Sequence, residues 1–471
     1  MAEDRIVANG INGLTGEYLL APVSAADLAA HEEPAPDVHW LEMLHAAAGD
    51  SHYGLPFDVR AEDVAAAGWG VVVGTEDDTG VVKQLEPLLR RRHEQTGDRF
   101  KILEYRPGET WPQWLSRHGV GPGTIDPDRV PYYLLIAGSP SLVPFSFQYL
   151  LDVEYAVGRL HFDDPGGYRQ YAEGVVAYET ADRPSHDDTA LFFGTRHPFD
   201  AATESSADHL VGPLAGCFGA GGRFEKVVGA GRSRAVAGDA ATKPALSEIL
   251  DGRGPYGKPA LLFAATHGMG GWPSGHPAQR ASHGALLCQD WPGFGRIAPA
   301  YYYAGSDLAA DARLHGLIAF FFACYGAGTP DRDPFAHRPG EAPPLIAPEP
   351  FVAALPQRLL GHEGGGALAV IGHIERAWGY SFIFGEQAQL NPFQNAIGRI
   401  LTGQPVGYAM KDFNERYAAL SASLTGVLED VGHGRTAALP TLARLWTERN
   451  DAQNYVLLGD PAVSSRRSPT T

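Results

Sequence analysis

The chain has 471 residues, a formal charge of −18 and a pI near 5.4, with 44% hydrophobic and 10% aromatic residues. That length accommodates two or three domains with a sizeable core, and the acidic balance without a Lys/Arg stripe argues against nucleic acid or an anionic membrane as partner. The first residues lack a positive region followed by an apolar core, and no run of 18 apolar residues occurs, so a cytoplasmic protein is expected. Three cysteines, Cys217, Cys288 and Cys324, form an odd set, so reduced thiols are expected rather than a disulfide framework.

In chain order, residues 1–64 read as an N-terminal extension with one helix around "DVHWLEMLHAAAG". Residues 65–185 then alternate strand and helix: "GWGVVVG", "VVKQLEPLLRRRHEQTG", "RFKILEY", "TWPQWLSRHG", "YYLLIAG", "EYAVGRLHF" and "YRQYAEGVVAYE". The acidic, proline-containing "TADRPSHDD" marks a boundary, and residues 186–471 begin a second series. Its strands are "TALFFG", "RFEKVVG", "PALLFAATHGMGG", "GLIAFFFACYGAG", "GALAVIGHIERAW" and "NYVLLGDPAV", with helices between them. Such βα alternation predicts an α/β fold, a doubly wound, mostly parallel sheet with helices on both faces, preceded by a second α/β subdomain.

Two consecutive core strands of the second series end in reactive residues. "LLFAATHGMGG" delivers His267 and "LIAFFFACYGAG" delivers Cys324, 57 residues later. Neighbouring parallel strands lie roughly 4.8 Å apart, and their carboxyl ends are where α/β sheets collect reacting groups. A Cys–His dyad follows, in which the imidazole takes the thiol proton and later protonates a leaving amine. Glycines after each residue let backbone N–H groups face an oxyanion, and the N–H groups of Gly268 and Cys324 are the expected oxyanion hole. The bland alternative is a small buried thiol and two ordinary turn glycines. Cys288 and Cys217 are read as a packed thiol and a loop thiol. His276 and His283 lie near His267 without a ligand set, so no metal is expected, and no phosphate-cradling glycine motif occurs, so no cofactor is expected.

The order His then Cys, each closing a hydrophobic strand in "THG" and "FACYG", resembles the caspase-like cysteine peptidases: caspases, metacaspases, gingipains, separase and CHAT proteins. The gingipain and CHAT branch is nearest in look, through "YYLLIAGSPSLVPFSFQYLLDVEYAVGRL" and "NYVLLGDPAV", over roughly residues 65–463. The resemblance implies a caspase-like fold whose first subdomain lacks the dyad, with His267 as general base and Cys324 as nucleophile of a regulated bacterial endopeptidase. Its partners would be a protein or peptide substrate and an activating protein. In caspase-like folds the loop after "ALFFG" helps form S1, the pocket for the residue before the cut bond, which here points to Arg196, Asp200 and Glu204. An exposed Asp200 would favour a basic residue there and Arg196 an acidic one. The resemblance also puts Trp378 in the pocket wall; a core tryptophan is the alternative. The proline-rich loop from Gly328 to Pro350 reads as a lid, a surface insertion or a site of processing at Arg332 or Arg338. Phe322 and Ala323 before the nucleophile differ from the caspase and metacaspase patterns, so neither preference transfers. Two other classes stay open: a non-catalytic scaffold on the same fold, and another cysteine-dependent amidohydrolase.

Overall fold

The computed structural model describes residues 5–24, 55–76, 80–229, 231–293, 295–333, 335, 342–384, 387–433 and 438–466. The helix expected over 37–49 and Arg338 lie outside the described residues. Ten strands build one sheet: β1 (Trp69–Gly74), β2 (Phe100–Tyr105), β3 (Tyr133–Ala137), β4 (Ala156–Leu160), β5 (Asp187–Gly194), β6 (Ser233–Ala237), β7 (Pro259–Ala265), β8 (Ile318–Phe322), β9 (Ala369–His373) and β10 (Tyr455–Gly459). Their spatial order is β2-β1-β3-β4-β10-β9-β8-β7-β5-β6. Each half reverses direction once, at β1 and at β5, so right-handed crossovers distribute the connecting helices over both faces.

The apolar runs become strands because both faces of the sheet are covered. Every residue of β3, β4, β7, β8, β9 and β10 is buried. Continuous rather than alternating hydrophobicity is what a parallel sheet between helices requires. The chain's fold is therefore mixed α/β with a large, mostly parallel sheet.

The C-terminal strand organises the whole. β10 runs parallel to β4 through Leu458 and Arg159 but antiparallel to β9, from Ala369 opposite Gly459 to His373 opposite Tyr455. All other ladders of the sheet are parallel. The carboxyl ends of β1–β4 thus open on the opposite edge from those of β5–β9, so the first series presents only its strands' amino ends at the edge carrying His267 and Cys324. Just beyond β10, Asp460 accepts from Trp69 Nε1 (2.8 Å) and Arg92 Nε (2.7 Å), tying the strand to the first series.

One expected strand is corrected. "RFEKVVG" contributes the helical turn Glu225–Val228, and the edge strand is Ser233–Ala237. The Phe224 N–H bonds the Cys217 carbonyl (2.8 Å), holding this piece against the preceding helix, and Gly229 at φ 96° turns the chain toward β6. Among the described residues no helix is long and apolar enough to cross a membrane.

Candidate active site

β7 and β8 pair in parallel register, Ala265 opposite Phe322, so two residues on His267 and Cys324 leave the sheet side by side. Both are fully buried. The chain then turns sharply: Tyr325, at φ 58°, is the one described non-glycine residue in the left-handed region. Its N–H bonds the Glu375 carbonyl (2.9 Å) and the Ala327 N–H bonds His373 (2.9 Å). Strain of this kind persists where the surroundings over-determine the backbone, and here it fixes the direction in which Cys324 points. A Cβ on Gly268 would overlap the Cys324 carbonyl oxygen, so the two strand ends approach as closely as they do only because position 268 is glycine.

The imidazole of His267 is oriented by a carboxylate. Its Nε2 lies 2.7 Å from Asp200 Oδ2, and its Nδ1 is buried with no hydrogen-bond partner among the described residues. A carboxylate on Nε2 selects the tautomer protonated there, which leaves the Nδ1 lone pair free to accept a proton. Asp200 is itself fixed from all sides. It caps the helix Ala201–Ser206 through the Ala202 N–H (3.1 Å), and it accepts from Thr203 Oγ1 (2.9 Å) and the Tyr18 hydroxyl. Burial pushes its pKa up, but the adjacent His267 and the hydrogen bonds from His267, Tyr18 and Thr203 hold the carboxyl well below its ordinary value. Tyr18 also packs edge-on against the His267 ring, centroids 5.6 Å apart.

The Cys324 thiol accepts the Ala377 N–H at 3.1 Å. Burial pushes its pKa well up, opposed by that N–H. The thiol is accordingly protonated at rest and needs a base to become a nucleophile. The backbone N–H groups of Gly268 and Cys324 converge on one atom, the carbonyl oxygen of Asn9, at 2.9 and 3.1 Å. The N-terminal segment therefore runs between the strand ends that carry His267 and Cys324. Gly10–Asn12 pairs with Gly268–Gly270, the Asn9 N–H bonds Ala377 O (2.8 Å), and the Gly379 N–H bonds Val7 O (3.0 Å). The Asn9 side chain, fully buried, donates from Nδ2 to Ser206 Oγ at 3.4 Å.

The expected pocket residues lie as follows. Asp200 is not exposed; only 3% of it reaches solvent, and its carboxylate is committed to His267. Arg196 stays at the surface, bonded to Asp208 (3.0 Å) and paired with Glu204 (3.3 Å), so each neutralises the other rather than a ligand. Trp378 is fully buried with its ring against Phe335 (5.5 Å), while its backbone bridges Ala8. Cys288 is a buried thiol, and Cys217 sits on the helix Gly212–Phe218 rather than in a loop, accepting from Gln394. Sequence reasoning missed Tyr18, Thr203, Ser206, Ala377 and Asn9, none of which stands in a recognisable motif. Among the described residues no cluster of three His, Cys, Asp or Glu side chains is arranged to hold a metal.

No family model and no curated protein matches the chain. Among solved structures, one described as a protease is similar over 85% of this chain and 79% of its own, at 12% identity and a TM-score of 0.42. The Saccharomyces cerevisiae separase–securin complex at 2.6 Å is similar over 74% of this chain and 17% of that one, at 12% identity and a TM-score of 0.31. The same complex at 3.0 Å gives 70%, 16%, 11% and 0.29. At these values the likeness carries no functional inference.

Proposed function

We propose that the chain is a caspase-like cysteine endopeptidase of the gingipain and CHAT branch, with residues 186–471 as its catalytic part, residues 65–185 a subdomain without the dyad, and residues 1–64 an N-terminal extension. The observation that carries this reading is the convergence of the Gly268 and Cys324 N–H groups on a single peptide carbonyl, beside a cysteine and a carboxylate-oriented histidine. Two donors aimed at one carbonyl oxygen are what acyl transfer needs when that oxygen becomes an anion.

In the mechanism His267 Nδ1 removes the Cys324 proton as Sγ attacks the substrate carbonyl carbon. Gly268 and Cys324 N–H hold the oxyanion, and Asp200 stabilises the imidazolium that forms. The Nδ1 proton passes to the leaving amine, and water, activated by the same nitrogen, hydrolyses the thioester. Asp200 acts here as a positioning residue for His267, not as part of the S1 pocket.

The test is turnover of a positional-scanning fluorogenic peptide library under reducing conditions by the full chain, by Cys324→Ala and by a chain lacking residues 1–9. Turnover that vanishes in Cys324→Ala is expected. No turnover by either Cys324-containing protein would overturn the proposal in favour of a non-catalytic scaffold.

A further inference from the structure

The segment in the cleft has the geometry of a substrate. Val7 to Asn9 lie antiparallel to Ala377–Gly379, with one hydrogen bond on each side of Ala8, the pattern by which an extended peptide adds to an exposed strand. The carbonyl that follows, that of Asn9, sits on the two N–H groups beside Cys324. The next residue is glycine, and a Cβ there would come within 2.8 Å of Cys324 Sγ, so a larger residue would block the thiol's approach.

The side chain at the bond is also specified. The Asn9 amide is enclosed, with Ser206 Oγ accepting from Nδ2. Neither charged residue expected to select an ionic side chain is free to do so: Asp200 is bound to His267, and Arg196 to Asp208 and Glu204. Asn9 Oδ1 is buried without a partner among the described residues, a cost of a few kcal/mol at most, whereas an unpaired charge buried there would cost far more.

Resting on the peptidase reading above, we propose that Val7–Gly10 is a tethered substrate of this chain's own Cys324, cut between Asn9 and Gly10, and that the site accepts asparagine before the scissile bond. The Cys324 proton moves to His267 Nδ1 as Sγ bonds to the Asn9 carbonyl carbon. The Asn9–Gly10 C–N bond breaks and that proton goes to the Gly10 nitrogen. Water then cleaves the thioester, giving a carboxylate on Asn9 and restoring the thiol. Gly10–Asn12 remains paired with Gly268–Gly270, and the hairpin bonds from Asn12 N–H to Glu17 O (2.8 Å) and Leu19 N–H to Gly10 O (3.0 Å) keep Tyr18 on Asp200. The departing piece vacates the Ala377–Gly379 strand for a peptide in trans.

The experiment is intact-mass analysis and N-terminal sequencing of the full chain, Cys324→Ala and Asn9→Gln during incubation with reductant. It is run beside hydrolysis of Val-Ala-Asn, Val-Ala-Arg and Val-Ala-Asp coumarin amides. The full chain is expected to lose residues 1–9 and begin at Gly10, Cys324→Ala to stay whole, and Asn9→Gln to be cut at least about tenfold more slowly. The Asn peptide should exceed the other two by about 100-fold. A wild-type chain that stays whole while hydrolysing other peptides overturns this inference and leaves the peptidase standing. Cleavage that persists in Cys324→Ala overturns it as spontaneous Asn–Gly chemistry. An uncut chain with no turnover even when residues 1–9 are absent overturns both.

Discussion

Asp200→Asn tests the orienting carboxylate with almost no change of shape. Each oxygen of Asp200 accepts two hydrogen bonds: Oδ1 from Tyr18 and the Ala202 N–H, Oδ2 from His267 Nε2 and Thr203. An amide fits neither way. With its NH2 at the Oδ2 position, His267 Nε2 must become an acceptor, which moves the proton to Nδ1 and removes the base. With its NH2 at the Oδ1 position it opposes the Ala202 N–H, and the imidazolium loses its counter-charge at 2.7 Å. At an effective dielectric of ~20 the bare attraction is about 6 kcal/mol, and the net value of a charge-assisted hydrogen bond after desolvation is about 1.5–3 kcal/mol. Adding the tautomer penalty, the transition state of the proposed peptide hydrolysis should lose about 2–4 kcal/mol, or about 30- to 1,000-fold in kcat/KM. The assay is hydrolysis of the best library peptide, with near-ultraviolet circular dichroism to check the fold. A folded Asp200→Asn protein within about threefold of wild type would refute the assignment of Asp200 to His267.

Two further outcomes concern stability. Glu154 is buried, with Oε1 on the Gly123 N–H (2.8 Å) and Oε2 without a partner among the described residues, and burial raises its pKa from 4.5 to about 7. A raised acid favours the fold below its unfolded pKa and loses that contribution as pH climbs through about 7. Glu154→Gln should therefore match wild type in urea unfolding near pH ~4 and exceed it by about 2–3 kcal/mol near pH ~8, and equal stabilities at both would count against the burial effect. Asp460→Asn weakens the buried link from β10 to Arg92 and Trp69 and should cost about 3 kcal/mol, whereas a loss below ~0.5 kcal/mol would show that Glu179 alone satisfies Arg92.

Much of the fold was legible because buried strands announce themselves. "YYLLIA", "PALLFAA" and "LIAFFF" are apolar without alternation, which only a sheet covered on both faces accommodates. That the strands ending in His267 and Cys324 are neighbours was a condition of the dyad reading, which composition could not supply and the parallel pairing of β7 with β8 meets. Direction is a different matter: "YVLLG" looks the same run either way, and nothing in its composition states that it enters antiparallel to one neighbour and parallel to the other. Asp200 was visible as an acid in the right loop, but its role depends on where its side chain turns, which is set by the helix it caps and by Tyr18 arriving from 182 residues upstream. Asn9 lies in "RIVANGINGL", which carries no catalytic or binding motif, so its place beside the thiol is purely tertiary information. "RFEKVVG" read as a strand because paired valines favour one, and a competing contact to the preceding helix prevailed.

The position of Tyr455–Gly459 has a consequence for biosynthesis. Of the ten strands of the central sheet this one leaves the ribosome last, yet it belongs in the middle, between Ala156–Leu160 and Ala369–His373. At ~5–20 residues per second, the apolar edge of Ala156–Leu160 waits about 15–60 s for its partner, an unpaired edge open to mispairing meanwhile. The wait also delays the cleft. Its wall at Ile374–Trp378 hangs on the Asn454 carbonyl (3.1 Å to the Ile374 N–H) and on Asp451 (2.9 Å to the Trp378 N–H), just before that last strand. Ile374–Trp378, which borders Cys324 through the Ala377 N–H, thus gains these two anchors only after residues 451–454 have been synthesised.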